Sequence, residues 1–128
     1  MRTLSTVAVA LVAGAVIGGA AVQSIHAEGK PPAYVIVAIQ KINDPEGMKA
    51  LAEKASAAAL ASAGGHYVVR TNDVTAFEGA APKRFVVIGF DSAEKAQAWH
   101  DSAGYKEIEA IRAKSSDSVS YMVEGLAN

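Results

Sequence analysis

Four segments of the chain are rich in β-branched and aromatic residues, and two stretches between them repeat apolar residues at helical spacing. Tyr34 to Ile42 (YVIVAIQKI) reads as a strand. Asn43-Asp44-Pro45-Glu46 stops it: Asp44 suits a helix N-cap, Pro45 the first helical position and Glu46 the positive helix end. Met48, Leu51, Ala52, Ala55 and Ala59 then recur on one helical stripe, while Leu60 lies off it and points to a second contact surface. Gly64-Gly65 ends the helix, since glycine takes the left-handed C-cap conformation without penalty. His66 to Arg70 (HYVVR) opens a second strand; Thr71-Asn72-Asp73 interrupts it, and Val74 to Phe77 resumes it after a bulge. Glu78 to Pro82 is a turn, and Lys83 to Phe90 (KRFVVIGF) a third strand. Asp91, three residues before Glu94, reads as the cap of a helix opening at Ser92. That helix breaks near Gly104, and a further turn or two runs through Tyr105, Ile108 and Ile111. Ser118 to Glu124 alternates Val119, Tyr121 and Val123 with polar residues, Met122 excepted, and is a fourth strand.

The order is β-α-β-β-α-β, an α+β arrangement of the ferredoxin-like type: a four-stranded antiparallel sheet with both helices on one face. A sheet with one wet face should alternate apolar and polar positions. Strand 1 does not: Tyr34, Ile36 and Ala38 on one parity are as apolar as Val35, Val37 and Ile39 on the other. Strand 3 repeats this, with Phe85 and Val87 set against Val86, Ile88 and Phe90. Two short helices cover one face only, so the other exposes an apolar patch of the kind that marks an interface. The expectation is a homodimer packed sheet against sheet; the competing reading is a monomer whose bulge and C-terminal tail cover that face.

Composition adds a destination. Residues 1–27 carry Arg2 and then no charge, with an Ala, Val, Leu, Ile and Gly centre and Ile25-His26-Ala27 as a cleavage triplet. This is the pattern of a secretory signal peptide, or, uncleaved, of an N-terminal anchor. Either way Arg2 holds the start inside and the domain goes outside the cytoplasm, periplasmic or secreted in the first case and membrane-attached in the second. The remainder divides into a linker, residues 28–33, a domain, residues 34–125, and a tail, residues 126–128. The whole chain has 12 basic and 13 acidic residues with no basic run, which argues against nucleic acid as a partner. With no Cys there is no disulfide, thiolate metal site or iron–sulfur cluster.

Several features together resemble the family known as domain of unknown function 1330, within the dimeric α/β-barrel superfamily. They are Asp44-Pro45-Glu46, Gly64-Gly65, Val69-Arg70, Glu78-Gly79, the strand Lys83 to Ile88, Ala98-Trp99, Ser102 with Tyr105, Arg112 and the closing Val123-Glu124-Gly125. Their order and spacing span Tyr34 to about Gly125. The resemblance implies the same fold and a dimer. It implies no single activity, because related barrels include cofactor-free oxygenases, isomerases, haem-dependent enzymes and proteins without known catalysis. The chain departs from the family pattern at His66, Thr71-Asn72 and Ala103-Gly104.

Candidate chemistry is sparse. His66 and Arg70 lie four apart on a strand, which predicts a shared face. Together they suit a small anion, Arg70 as a forked donor and His66 as a base near neutral pH. Their bland reading is a solvent-facing strand end with a surface ion pair. Arg84 joins Arg70 if strands 2 and 3 form a hairpin, or else is an edge charge that discourages aggregation. Trp99 falls in register with Ala96 and Ala103 and reads first as packing, as does Tyr105, whose hydroxyl is within reach of a cleft. His66 and His100 lack ligand spacing, so neither a metal nor a cofactor is expected. The leading expectation is a binder of a small, partly apolar anion, with His66, Arg70 and Arg84 as polar contacts and Trp99 and Tyr105 as walls. The alternatives are a cofactor-independent oxygenase or isomerase, with His66 as base and Arg70 stabilising the anion, and a structural dimer without ligand. Whether the protein is an enzyme stays open at this level.

Overall fold

The computed structural model describes residues 30–127; the expected signal peptide or anchor, residues 1–27, lies outside them. Eight elements follow one another: β1 (Ala33–Ile42), α1 (Pro45–Lys54), α2 (Ala57–Ser62), β2 (Gly65–Thr71), β3 (Arg84–Phe90), α3 (Ala93–His100), α4 (Ala103–Ser115) and β4 (Ser116–Glu124). All belong to one unit, Pro31–Leu126. The sheet runs β2-β3-β1-β4 with every neighbouring pair antiparallel, the expected ferredoxin-like topology. No helix among the described residues is long and apolar enough to cross a membrane.

The two expected helical regions each break into two. Ser56 interrupts the first, capping α2 by accepting from the Ala59 amide at 3.2 Å. The break resets the helical phase, so Leu60, off the stripe of a continuous helix, is buried in the core. Ser102 interrupts the second region, its hydroxyl donating to the Trp99 carbonyl and accepting from the Tyr105 amide. The break therefore falls two residues before Gly104, and α4 is 13 residues long rather than a turn or two. Ser92, not Asp91, caps α3: its hydroxyl accepts from the Lys95 amide, while Asp91 pairs with the Lys95 ammonium instead. Asp44 stands at the N-cap position of α1 but makes no side-chain cap bond.

Val74 to Phe77 do not resume β2. The Thr71 hydroxyl accepts from the Asp73 amide at 2.9 Å, a side-chain turn that swings the chain off the ladder and leaves Phe77 97% exposed. The bulge lies inside β2 instead, between Tyr67 and Val69.

The core sits between one sheet face and the helices. Ala33, Val35, Val37 and Ile39 of β1 and Val86, Ile88 and Phe90 of β3 meet Leu60 and Ala96, with Trp99 packed on their edge. The opposite face presents the other parity. Register places Ile36 beside Val87 and Tyr121, and Ala38 beside Phe85 and Val119. Val69, Val119, Tyr121 and Val123 are exposed there.

Candidate functional site

The bulge in β2 decides what the site contains. Before it, His66 pairs with Gly89 and Tyr67 with Ile88; after it, Val69 pairs with Val87 and Arg70 with Val86. Ile88 and Val86 point to the helices, so Tyr67 and Arg70 do too, whereas His66 turns to the outer face beside Gly89. The shared face expected for His66 and Arg70 assumes unbroken alternation, and the extra residue removes it. The His66 ring lies over Gly89, where a Cβ would come within 2.8 Å of it.

Arg84 lies diagonally across from Arg70 and pairs with Ile39, so both arginines occupy the helix side at the end of the sheet where β1 finishes. A third arginine joins them from α4. The amides of Asn43 and Asp44 donate to the Ser115 carbonyl at 2.7 and 3.1 Å, tying the end of α4 to the end of β1. Arg112, one turn earlier, is only 8% exposed, and its guanidinium turns back along the helix to Tyr105.

A cavity of about 150 Å³ lies between sheet and helices, and Arg70, Arg84 and Arg112 all line it. Val37, Ile39, Val86 and Ile88 line it from the sheet, Met48, Leu51 and Ala52 from α1, Trp99 from α3 and Ile108 from α4. Among the described residues no carboxylate or histidine lines it. The volume matches that of an engineered apolar cavity that takes up benzene.

Each arginine is held by a neutral partner. The Arg70 guanidinium lies over the Tyr67 ring, 4.5 Å from its centre, and the Tyr67 hydroxyl is fixed by donating to the Ala55 carbonyl. Arg84 donates from Nη1 to Asn72 Oδ1 at 3.0 Å. Arg112 donates from Nη2 to the Tyr105 hydroxyl at 2.8 Å. Among the described residues none of the three pairs with a carboxylate. Burial, and then the neighbouring Arg70 charge, lower the Arg84 pKa, Tyr67 opposing them weakly. A guanidinium titrates so high that it stays charged at neutral pH all the same. The result is three charged guanidiniums on the wall of a largely apolar cavity.

The expected wall residues have distinct places. Trp99 lines the cavity and packs against Phe90 and, edge-on at 4.6 Å, against Tyr105. Tyr105 is 2% exposed and stands behind the cavity, reaching it through Arg112. His100 lies outside it, beside Asp101 and Glu109. Among the described residues no three His, Asp or Glu cluster as metal ligands.

Arg112, Asn72, Tyr67 and Met48 are cavity residues that the strand and helix patterns do not single out as contacts. For Arg112 a signal exists. Tyr105, Ile108 and Arg112 follow at three- and four-residue steps, so the basic residue falls on the buried stripe of α4 where an apolar one would be expected.

Comparison with known proteins places this geometry in context. Residues 32–126 match the family described as Domain of unknown function (DUF1330). No curated protein matches the sequence. Similar solved structures include a protein of unknown function from Rhodopseudomonas palustris, 14% identical, covering 77% of this chain and 85% of that one with a TM-score of 0.57. A dimeric ferredoxin-like protein of unknown function from Thermobifida fusca is 18% identical over 74% of this chain and 92% of that one, TM-score 0.57. SnoaB, a cofactor-independent oxygenase from Streptomyces nogalater, is 13% identical over 77% and 96%, TM-score 0.53. At these identities the likeness is one of fold.

Proposed function

The chain belongs to the Domain of unknown function (DUF1330) family, and from that premise we propose that it binds a small organic acid, its anionic head among Arg70, Arg84 and Arg112 and its apolar body against Trp99 and Ile88. The observation that carries this reading is three guanidiniums, each held by a neutral group, on a cavity that no carboxylate among the described residues lines. Charge-assisted, forked bonds from arginine to a carboxylate are about twice as strong as neutral ones. The apolar lining supplies the rest, at roughly 25 cal/mol per Å² covered. Binding is favoured over proton abstraction because among the described residues no carboxylate or histidine lines the cavity to act as base, and the Tyr67 hydroxyl is committed to the Ala55 carbonyl. His66, the base of the enzymatic alternative, belongs to the outer face.

Trp99 is the chain's only Trp and lines the cavity, so it reports occupancy. Titration with benzoate and with hexanoate should change its fluorescence saturably. Added salt should weaken the binding, and Arg84→Gln should weaken it by roughly tenfold, the loss of a charge-assisted bond. No saturable change with any organic acid up to millimolar concentration overturns the reading.

The assembly belongs to the same proposal. The outer face, apolar through Ile36, Val87, Val119 and Tyr121, packs against its copy in a homodimer, which leaves the cavities on the far sides of the two sheets. The description of the Thermobifida fusca protein as dimeric supports this. Sedimentation as a monomer at micromolar concentration would contradict it. We also propose export, periplasmic or secreted, by way of residues 1–27. The intact mass of the protein from its own host should correspond to cleavage after Ala27; retention of residues 1–27 in the membrane fraction would replace export by anchoring.

A further inference from the structure

Arg84 opens β3 and Phe90 closes it, seven residues in all. At the rise of an extended chain the two ends lie about 20 Å apart. Trp99 packs on the Phe90 ring, 5.5 Å between centres. The cavity that Arg84 and Trp99 both line therefore runs lengthwise along the helix side of β3, past Val86 and Ile88. An acid held at Arg84 directs its apolar body along that line toward Trp99. The first cavity, at about 150 Å³, accommodates a body the size of benzene, about six carbons.

The open space continues past Trp99. A second cavity, of about 440 Å³, lies between α2 and α4. Ala55, Trp99 and Ile108 line both cavities. They come from three separate segments, the C-terminal cap of α1, α3 and α4, and present a methyl group, an indole and a branched aliphatic chain. Ala59, Leu60 and Ala63 extend the apolar lining of the second cavity. Its polar lining includes Lys54 and Glu107, an exposed ion pair at 3.2 Å. A pair so exposed contributes little and does not seal the opening.

From this continuity we infer that the second cavity takes the far part of the same ligand: a straight-chain acid whose tail, longer than about six carbons, passes Trp99 and lies between α2 and α4. This deepens the organic-acid reading above and rests on it. The shared residues identify the occupant. Their hydrocarbon and ring surfaces suit an alkyl chain, whereas a charged or hydrated segment passing between them would lose its water without gaining partners.

The test titrates hexanoate, octanoate and decanoate into the purified protein, by calorimetry with Trp99 fluorescence alongside, below the concentrations at which these acids self-associate. Each buried methylene is worth up to roughly fourfold in affinity. Decanoate should therefore bind at least roughly tenfold tighter than hexanoate. Ala59 is exposed and lines the second cavity but not the first. Ala59→Phe should fill the tail's place and abolish most of decanoate's advantage while leaving hexanoate binding unchanged. Should that variant unfold, Ala63→Leu obstructs the same cavity from the other end of α2. Equal affinity for the three acids overturns the inference and leaves the organic-acid reading standing. A gain with chain length that survives the substitutions overturns it too, since the tail then lies elsewhere. No binding of any of the three overturns both.

Discussion

Arg112 and Tyr105, seven residues apart on one helix, form a buried pair in which the guanidinium donates to the phenol oxygen at 2.8 Å. The guanidinium also lies 5.6 Å from the centre of the Tyr105 ring. The bond fixes a cation in the protein interior without cancelling its charge. Tyr105 in turn is held by the T-shaped contact with Trp99 and by the Ser102 cap at the start of its helix. Arg112 is thus braced on the cavity wall through the second helical region.

Tyr105→Phe keeps the ring and its packing and removes the acceptor. The unpaired buried donor should cost about 1–3 kcal/mol of stability. Thermal denaturation should show this loss. Titration should show weaker acid binding as Arg112 loses its fixed orientation, and wild-type affinity would remove Tyr105 from the site.

Trp99→Ala should be costlier, by roughly 3–5 kcal/mol, because it opens a void beside Phe90 and takes away the face on which Tyr105 rests. Chemical denaturation of the variant measures it. Trp99→Phe, which keeps an aromatic ring there, should recover most of the loss.

Two glycines should respond in opposite directions to alanine. At Gly65 a Cβ would meet the Phe90 ring at 2.8 Å and Leu60 at 3.0 Å, inside the core. Overpacking there should destabilise by about 1–3 kcal/mol. At Gly104, in the first turn of α4, a Cβ meets nothing within 4 Å. Gly104→Ala should raise stability by about 0.5–1 kcal/mol by reducing the freedom of the unfolded chain. The pair of melting temperatures checks both.

Asp101 has a carboxyl pKa below its usual 3.8, chiefly through the His100 hydrogen bond and then that from Gln97. A carboxylate whose folded pKa is depressed contributes stability above its unfolded pKa and loses it as pH falls through the folded value. Asp101 is fully exposed, so the effect is small. Melting temperatures of Asp101→Asn and wild type should differ at neutral pH and converge in acid, once the pH has fallen through the lowered folded value.

The order of the elements was legible because local rules govern it. Runs such as YVIVAIQKI and KRFVVIGF carry strand signals on their own, and Pro45 and Gly64 mark the limits of the first helical region by fixed or freed backbone angles; Gly64 indeed has φ of 84°. The doubled apolar parity of β1 and β3 already marked two sheet faces to be covered. The internal breaks were harder to see, since serines at 56 and 102 are caps only once the chain bends there. Arg70, Arg84 and Trp99 were legible as candidates from residue type and position. A four-residue step keeps one face of an ideal strand, and by that local rule alone His66 groups with Arg70.

What the sequence by itself determined about this protein is the βαββαβ order, the apolar outer face and the residue types from which a binding site could be made. Only the tertiary structure decided which of those residues meet. One extra residue in β2 moved His66 to the outer face and left Arg70 beneath the helices. A backbone tie between Ser115 and Asn43 set the end of α4 against the end of β1, and from α4 Arg112 lines the same cavity. Both are non-local: a bulge is defined by the partner strand it faces, and the position of a helix end by the strand it is bonded to. Neither can be read from the spacing of residues along one segment.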